Sequence, residues 1–450
     1  MGWRSTIIMC VLAALAVLAL WLVRAESTTV ARGMTSRPLL ERADLPRDAV
    51  TEVSIIDADG AVNTYLREAD GWWMIEPYRH RVRTEAIQHL FDAMLLTVEV
   101  DSIDDADEAL LERYALQPPR ASVLWATDEG ARSHRIDLGR TGIGGRGYMR
   151  MDSGDQVHVV TGPLHERIFG QDQVQWRDRA LFPGMDIEVD RITRVIDGSA
   201  IVFERSGRTW TMTEPIATRV DADAMAEHVM KLAGVDWSDV FVEQPEDWTG
   251  FGLEPPEATV HIDRGQQRRT LFIGSRMGGD TQDRFAQIDG VPVVLRISGE
   301  TVASVLSDAS SLIDHTGSGT LPSDVKRVVI ETPDETIVLE RSLDVWRAPA
   351  HGDREVSSTT VEQLLEALTT LRATEVELKD AYPAELERAR VTLHGFDSRP
   401  MDTVRLLRET GETGRWGMEN GDRVIRIHPD FLVLPLAGVD YGLPAASPKP

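Results

Sequence analysis

The stretch Trp72-Trp-Met-Ile-Glu-Pro77 decides how this chain is organised, because it returns 138 positions later as Trp210-Thr-Met-Thr-Glu-Pro215. A looser third copy, Trp346-Arg-Ala-Pro349, follows after another 136 positions. Downstream, residues 114–123 match residues 251–260 at an offset of 137, through a shared Y/F-x-L-x-P-P element. These independent offsets agree within a few residues and therefore predict three tandem copies of one unit.

Each copy has the same predicted order of elements. Two strands and a turn lead to the tryptophan strand, which ends at a proline. An amphipathic helix follows, and its apolar stripe occupies positions i, i+3, i+4, i+7 and i+8 in the first copy. That stripe consists of Ile87, Leu90, Phe91, Met94 and Leu95. In the third copy, Thr359 and Glu362 have the spacing of a capping box, which predicts the start of the helix there. Further antiparallel strands complete each unit.

The predicted fold is therefore α+β, with an N-terminal transmembrane helix followed by three tandem repeats of antiparallel strands and an amphipathic helix. The repeats are predicted at 48–185, 186–320 and 321–445, with a short tail at 446–450. The third is degenerate, because Tyr382-Pro383 and a charged stretch replace its L-x-P-P block. A chain of 450 residues is long enough for several domains.

The N-terminal segment from Ile7 to Val23 is apolar and carries no charge or proline. As a helix its 17 residues would span about 26 Å, close to the ~30 Å hydrocarbon core of a bilayer. Val23-Arg24-Ala25 lacks the small residues of a signal-peptidase site, which favours an uncleaved anchor over a signal peptide. We therefore predict a cytoplasmic tip and anchor at 1–24, a linker at 25–47, and a single-pass protein of the cytoplasmic membrane whose bulk is extracytoplasmic.

The charge and the sparse motifs exclude several classes of function. With 48 Lys and Arg against 73 Asp and Glu, the net charge of −25 repels nucleic acid. The glycine-rich run 139–147 lacks the Lys-Ser/Thr ending of a phosphate loop and precedes a strand, so a flexible hairpin is predicted. Ser323 and Lys326 have Ser-x-x-Lys spacing but open a strand, and the acidic run 101–108 is expected to be a solvated stretch that starts a helix. No catalytic residue, metal site or cofactor is predicted, and we expect a non-enzymatic protein.

Tryptophan is the remaining candidate for binding. Trp72, Trp210 and Trp346 hold one position in each repeat, which favours a role in the core. Three others lie outside that pattern and could stack on sugar rings: Trp176, Trp237 and Trp248. These three are the candidate binding residues.

The order of these features resembles a bacterial family known as domain of unknown function 4340. The resemblance rests on the two W-x-M-x-E-P copies, the two Y/F-x-L-x-P-P elements, and the closing glycines Gly139 and Gly274. It implies an N-terminal membrane helix and an association with ABC-type transporters of the gliding-motility kind, and it carries no catalytic residues. We therefore expect an envelope-facing accessory protein that binds such a transporter or its cargo. The alternative is a tethered module that binds glycan or another envelope polymer.

Overall fold

The computed structural model describes residues 37–41, 45–127, 132–142, 144–185, 188–279, 281–378, 384–408 and 414–444. The chain forms two compact units, one ending at Asp178 and one beginning at Arg179. Among the described residues, no helix combines the length and apolar character needed to cross a bilayer. The predicted anchor, residues 7–23, lies outside the described residues.

Three antiparallel sheets account for the strands of the described chain. The first compact unit holds one sheet, built from β1 (Arg37–Pro38), β2 (Val50–Asp57), β3 (Val62–Glu68), β4 (Gly71–Glu76), β5 (His80–Val82), β6 (Val98–Ile103), β7 (Ala121–Thr127), β8 (Arg132–Thr141), β9 (Arg146–Met151) and β10 (Val157–Thr161).

The second compact unit holds the other two sheets. The second sheet contains β11 (Arg191–Ile196), β12 (Ser199–Ser206), β13 (Thr209–Glu214), β14 (Thr218–Arg219), β15 (Asp239–Glu243), β16 (Ala258–Arg264), β17 (Gln267–Arg276), β18 (Arg284–Ile288) and β19 (Val293–Ile297). The third contains β20 (Arg327–Glu331), β21 (Thr336–Ser342), β22 (Val345–Ala348), β23 (Arg354–Glu355), β24 (Glu375–Leu378), β25 (Glu387–His394), β26 (Pro400–Arg408), β27 (Trp416–Glu419) and β28 (Val424–Ile427).

Helices accompany each sheet. Those described are α1 (Thr84–Leu96), α2 (Glu108–Arg113), α3 (Pro163–Phe169), α4 (Ala222–Ala233), α5 (Gly299–Val305) and α6 (Ser358–Thr369). The prediction of antiparallel strands with an amphipathic helix is thus confirmed for three repeat-like sheets, and strands outnumber helices in each.

All three sheets share one topology. In the second sheet the strand order is β14-β13-β12-β11-β16-β17-β18-β19-β15, and the third sheet repeats it as β23-β22-β21-β20-β25-β26-β27-β28-β24. In each sheet four consecutive strands, which are β2 to β5 in the first, form a meander from the centre toward one edge. The helix α1, α4 or α6 then carries the chain to the opposite edge. The chain returns to the centre to build the other half. The third repeat therefore keeps the full topology even though it lacks the L-x-P-P block.

A short entry segment opens each repeat, and this feature has no counterpart in the sequence pattern. Arg37 pairs with Glu99 in the first sheet, although residue 37 falls in the predicted linker. The bridges Ala180–Asp236 and Thr316–Arg372 occupy the equivalent place in the other two repeats. In all three, the entering chain pairs with the residues just after the long helix.

The tryptophans of the repeated motif lie in the core, as predicted. Trp72, Trp210 and Trp346 are each buried on the third meander strand. Trp72 meets Phe91 of α1 edge to face, with ring centroids 6.1 Å apart, so the helix stripe packs on the tryptophan strand.

The predicted start of α6 was wrong. The N-cap is Ser357, whose side chain accepts a hydrogen bond from the Thr360 backbone N–H, and Thr359 already lies inside the helix. Four consecutive hydroxyl residues, 357–360, stand at this helix start, and the one with extended backbone, Ser357, forms the cap. The second repeat is capped in the same way by Asp221.

Polar contacts join the second and third sheets within their compact unit. Arg219 Nη2, on β14, donates to the Thr316 carbonyl at 2.8 Å. Arg426 of β28 is fully buried, and its guanidinium pairs with Asp422 at 2.8 Å and with the Asp314 carbonyl at 2.7 Å. The fully buried Arg426 guanidinium therefore has the partners that burial requires.

Candidate functional site

The predicted tryptophan residues do not form a common surface. Trp176 and Trp237 are each only 1% exposed, which corrects the expectation that their rings are open to a ligand. Arg167 lies 4.5 Å over the Trp176 ring, and Arg179 lies 5.3 Å over the Trp237 ring. Both indoles are therefore covered by stacked guanidinium groups. Trp248 is half-buried and precedes the short 3-10 turn Thr249–Phe251.

The repeated Y/F-x-L-x-P-P element is anchored on the closing glycine. In the first repeat, Arg140 N donates to the Tyr114 carbonyl at 2.8 Å, and a Cβ on Gly139 would lie 2.3 Å from that oxygen. In the second repeat, a Cβ on Gly274 would lie 2.2 Å from the Phe251 carbonyl oxygen. No side chain fits at these distances, so glycine is required there.

This anchorage places the aromatic residue that begins the element beside a second ring. In the first repeat, Tyr114 stacks on Tyr148 of β9 with ring centroids 4.0 Å apart and an interplanar angle of 19°. Ile103 of β6 packs beside them, and the Arg140 guanidinium lies 5.6 Å from the Tyr114 ring. Both tyrosines are half-buried. We call this group the tyrosine cluster.

The tyrosine cluster forms one wall of a surface cleft of about 790 Å³. The lining residues are Asp101, Ile103, Tyr114, Arg140, Thr141, Gly142, Arg146, Tyr148 and Val159. The cleft combines aromatic faces with guanidinium groups and one carboxylate, a mixture suited to recognising a partner's polar and apolar groups together.

The second repeat carries the same arrangement with three phenylalanines. Phe251 lies 5.2 Å from Phe285 of β18, and Phe241 of β15 lies 4.9 Å from Phe285, all ring pairs being edge to face. Phe241 is 50% exposed and sits on the last strand of its sheet. We call this group the phenylalanine cluster.

Sequence reasoning missed both clusters, although a signal was present. Tyr114 and Phe251 stand 137 positions apart, and so do Tyr148 and Phe285. Aromatic residues that recur at the repeat offset while staying half-exposed are not explained by core packing alone. The sequence could show the recurrence but not the exposure.

The glycine-rich run and the acidic run have the structural roles that were expected. Ser323 instead lies in the 3-10 turn Pro322–Asp324, and β20 begins only after Lys326, so the prediction that these two residues open a strand was wrong. The glycine-rich run connects β8 to β9 as a hairpin. Asp107, in the acidic run, caps α2 by accepting from the Leu110 N–H. In the described part of the chain, no group of three or more His, Cys, Asp or Glu side chains is placed to hold a metal ion.

Taken together, the chain is a repeat protein in which an α+β unit with one fixed topology occurs three times. Comparison with known families then identifies it. The family profile described as "Domain of unknown function (DUF4340)" matches residues 72–241 and 210–389, which together exceed half of the chain. The chain belongs to this family. Its two matches begin at the equivalent tryptophans, Trp72 and Trp210. No curated protein and no solved structure matches the chain.

Proposed function

We propose that this protein is a membrane-anchored, envelope-facing, non-enzymatic accessory protein that binds an ABC-type transporter or that transporter's cargo. The observation that carries the proposal is the duplicated aromatic cluster, at one place in two repeats. Half-exposed aromatic rings beside arginine are the side chains that contribute most to binding at protein interfaces. The anchor and the link to a transporter rest on the apolar segment 7–23 and on the family resemblance.

Phe241 is the residue expected to contribute most to this contact. Its ring is half-exposed, and two further rings support it from beneath. Because β15 is an edge strand, its backbone can also pair with an extended segment of a partner. A supported aromatic ring on an edge strand can combine apolar and hydrogen-bonded contact in one place.

The test is an affinity purification of the tagged full-length protein from membranes in mild detergent. We expect transporter subunits to be recovered with the wild-type protein and reduced at least about tenfold with Phe241→Ser, a loss of ~1.4 kcal/mol that is expected of one of the few residues that dominate an interface. Leu343→Ser is the matched control, because Leu343 is 90% exposed on the third repeat and outside both clusters. Recovery without any transporter subunit, or equal recovery with both variants, would contradict the proposal.

A second candidate function, binding of a glycan or another envelope polymer, is favoured by the tyrosine cleft. A sugar ring can stack on an aromatic face while Arg140, Arg146 and Asp101 bind its hydroxyl groups. Sedimentation with purified cell-wall polymer tests this function. Loss of binding in Tyr148→Ala but not in Phe241→Ser would favour it over the transporter contact, and no binding by the wild-type protein would exclude it.

A further inference from the structure

The second repeat contains a buried arginine where the other two repeats contain isoleucine. Arg194 pairs with Val260 across the centre of its sheet, as Ile55 pairs with Val123 and Ile330 with Val391. All three central positions are buried, and Arg194 is fully inaccessible. The fold therefore does not require a charge at this place.

The helix above it shows a second replacement of the same kind. His228 of α4 stands 138 positions after Leu90 of α1 and 136 positions before Leu364 of α6. All three belong to the buried stripes of their helices. Where the other two repeats have an apolar residue on the sheet and another on the helix, the second repeat thus has Arg194 and His228.

Both exchanged side chains contact Ser307, just after α5. Arg194 Nη1 donates to the Ser307 carbonyl, and the Ser307 hydroxyl lies 3.5 Å from His228 Nδ1. The guanidinium also lies 5.2 Å from the centre of the Phe203 ring. Ser307 therefore brings the two side chains into one cluster.

Three nitrogen atoms of this cluster are buried without a hydrogen-bond partner in the described chain: Arg194 Nε, Arg194 Nη2 and His228 Nε2. No carboxylate among the described residues lies within ion-pair distance of Arg194. Asp308, the nearby acid, uses its own carboxylate to accept from the Ser310 backbone N–H and hydroxyl. Buried polar groups in native proteins almost always have a partner, and an unpaired buried charge is costly.

The protonation states define what that partner must be. Burial lowers the pKa of Arg194 to about 10, so the side chain is still a cation at neutral pH. Burial and the charge of Arg194 lower the pKa of His228 to about 4, so its ring is neutral. When the Ser307 hydroxyl donates to Nδ1, the ring proton lies on Nε2, which is then a donor. The cluster therefore offers N–H donors and one positive charge, and the complementary ligand is an anion.

We propose that Arg194 and His228 form a buried binding site for a small carboxylate within the second repeat. Because Nη1 is engaged by Ser307, the free Nε and Nη2 form the edge of the guanidinium that holds a carboxylate through two parallel hydrogen bonds. His228 Nε2 supplies a further donor. The site does not involve the aromatic clusters.

The test compares thermal unfolding of the full-length protein in detergent with that of a double variant, Arg194→Ile with His228→Leu, which restores the residues of the other repeats. Titration with sodium acetate at pH 7 should raise the melting temperature of the wild-type protein saturably, by about 5 °C. The double variant should show no saturable rise. An equal response of both proteins would overturn the site, and a response of the wild-type protein to chloride but not to acetate would overturn its assignment to a carboxylate.

A second measurement does not depend on the variant folding. A crystal structure of the wild-type protein grown in sodium acetate should show the density of a planar, three-branched anion beside Arg194. The absence of that density, together with the absence of a saturable acetate shift, would also overturn the proposal.

Discussion

The first two repeats and the third differ at one strand position, and the difference explains the Y/F-x-L-x-P-P element. The pairings Ala121–Leu138, Ala258–Ile273 and Ala389–Leu406 are equivalent in the three sheets. The next residue is therefore Gly139 in the first sheet, Gly274 in the second and Leu407 in the third.

The glycine and the element belong to one packing arrangement. Where the element is present, its backbone oxygen lies so close to the strand that only hydrogen fits at Gly139 or Gly274. Where the element is lost, Leu407 is buried against Ile425 and Ile427 instead. A buried side chain thus stands where the other two sheets have glycine, and the sheet has kept its topology.

The strongest test exchanges this residue between repeats. Gly274→Leu should lower the free energy of unfolding of the second compact unit by about 4 kcal/mol, because no rotamer moves Cβ away from the Phe251 carbonyl oxygen. Urea unfolding of the full-length protein in detergent measures the loss. Gly278→Leu is the control, since a Cβ there meets nothing within 4 Å. If both variants unfold alike, the glycine and the element are not one packing arrangement.

The third repeat also contains a buried titratable residue at a strand position that is apolar in the other two repeats. His428 is fully buried, whereas Val160 and Ile297 hold the equivalent strand position in the first and second sheets. Burial, followed by the positive charges of Arg426 and His315, lowers the pKa of His428 from 6.5 to about 4. The folded protein therefore takes up this proton only well below the pH at which the unfolded chain does.

The direction in which pH changes the stability follows from the order in which the unfolded and folded states bind this proton. Above pH 6.5 the ring is neutral in both states and stability is unaffected. As the pH falls toward 4 the unfolded chain binds the proton first, so the folded state should lose up to about 3 kcal/mol. His428→Ile should abolish this part of the acid dependence, and urea unfolding at pH 7, 5.5 and 4 measures it. An unchanged acid dependence in the variant would show that His428 is not its source.

The repeat pattern could be predicted from the sequence because its causes are local. The tryptophan strands and the helix stripes follow from side-chain periodicity, and the offsets align them. The entry segments at 37–39, 179–181 and 315–317 could not be predicted, because each pairs over two or three residues and has no periodicity of its own.

The candidate sites were less accessible to prediction. Burial of Trp176 and Trp237 depends on arginines that stack over them from elsewhere in the fold. His228 could have been noticed, since the repeat offset aligns it with Leu90 and Leu364. Its relation to Arg194 depends on a contact through Ser307, 79 positions further along the chain, and only the tertiary structure reveals it.

The smallest expected effect tests whether the third repeat, despite its lost element, starts its helix as the second does. Ser357→Ala should lower the free energy of unfolding by about 1 kcal/mol, because the Thr360 N–H loses its acceptor at the N-cap. Thr359→Ala should change it by less than about 0.5 kcal/mol, because Thr359 lies inside the helix and alanine has the higher helix propensity. Asp221→Ala should cost more than Ser357→Ala, because Asp221 caps α4 in the same way and also forms an ion pair with Arg372. If Thr359→Ala lowers the free energy of unfolding more than Ser357→Ala does, then Thr359 is the N-cap, as the sequence spacing predicts.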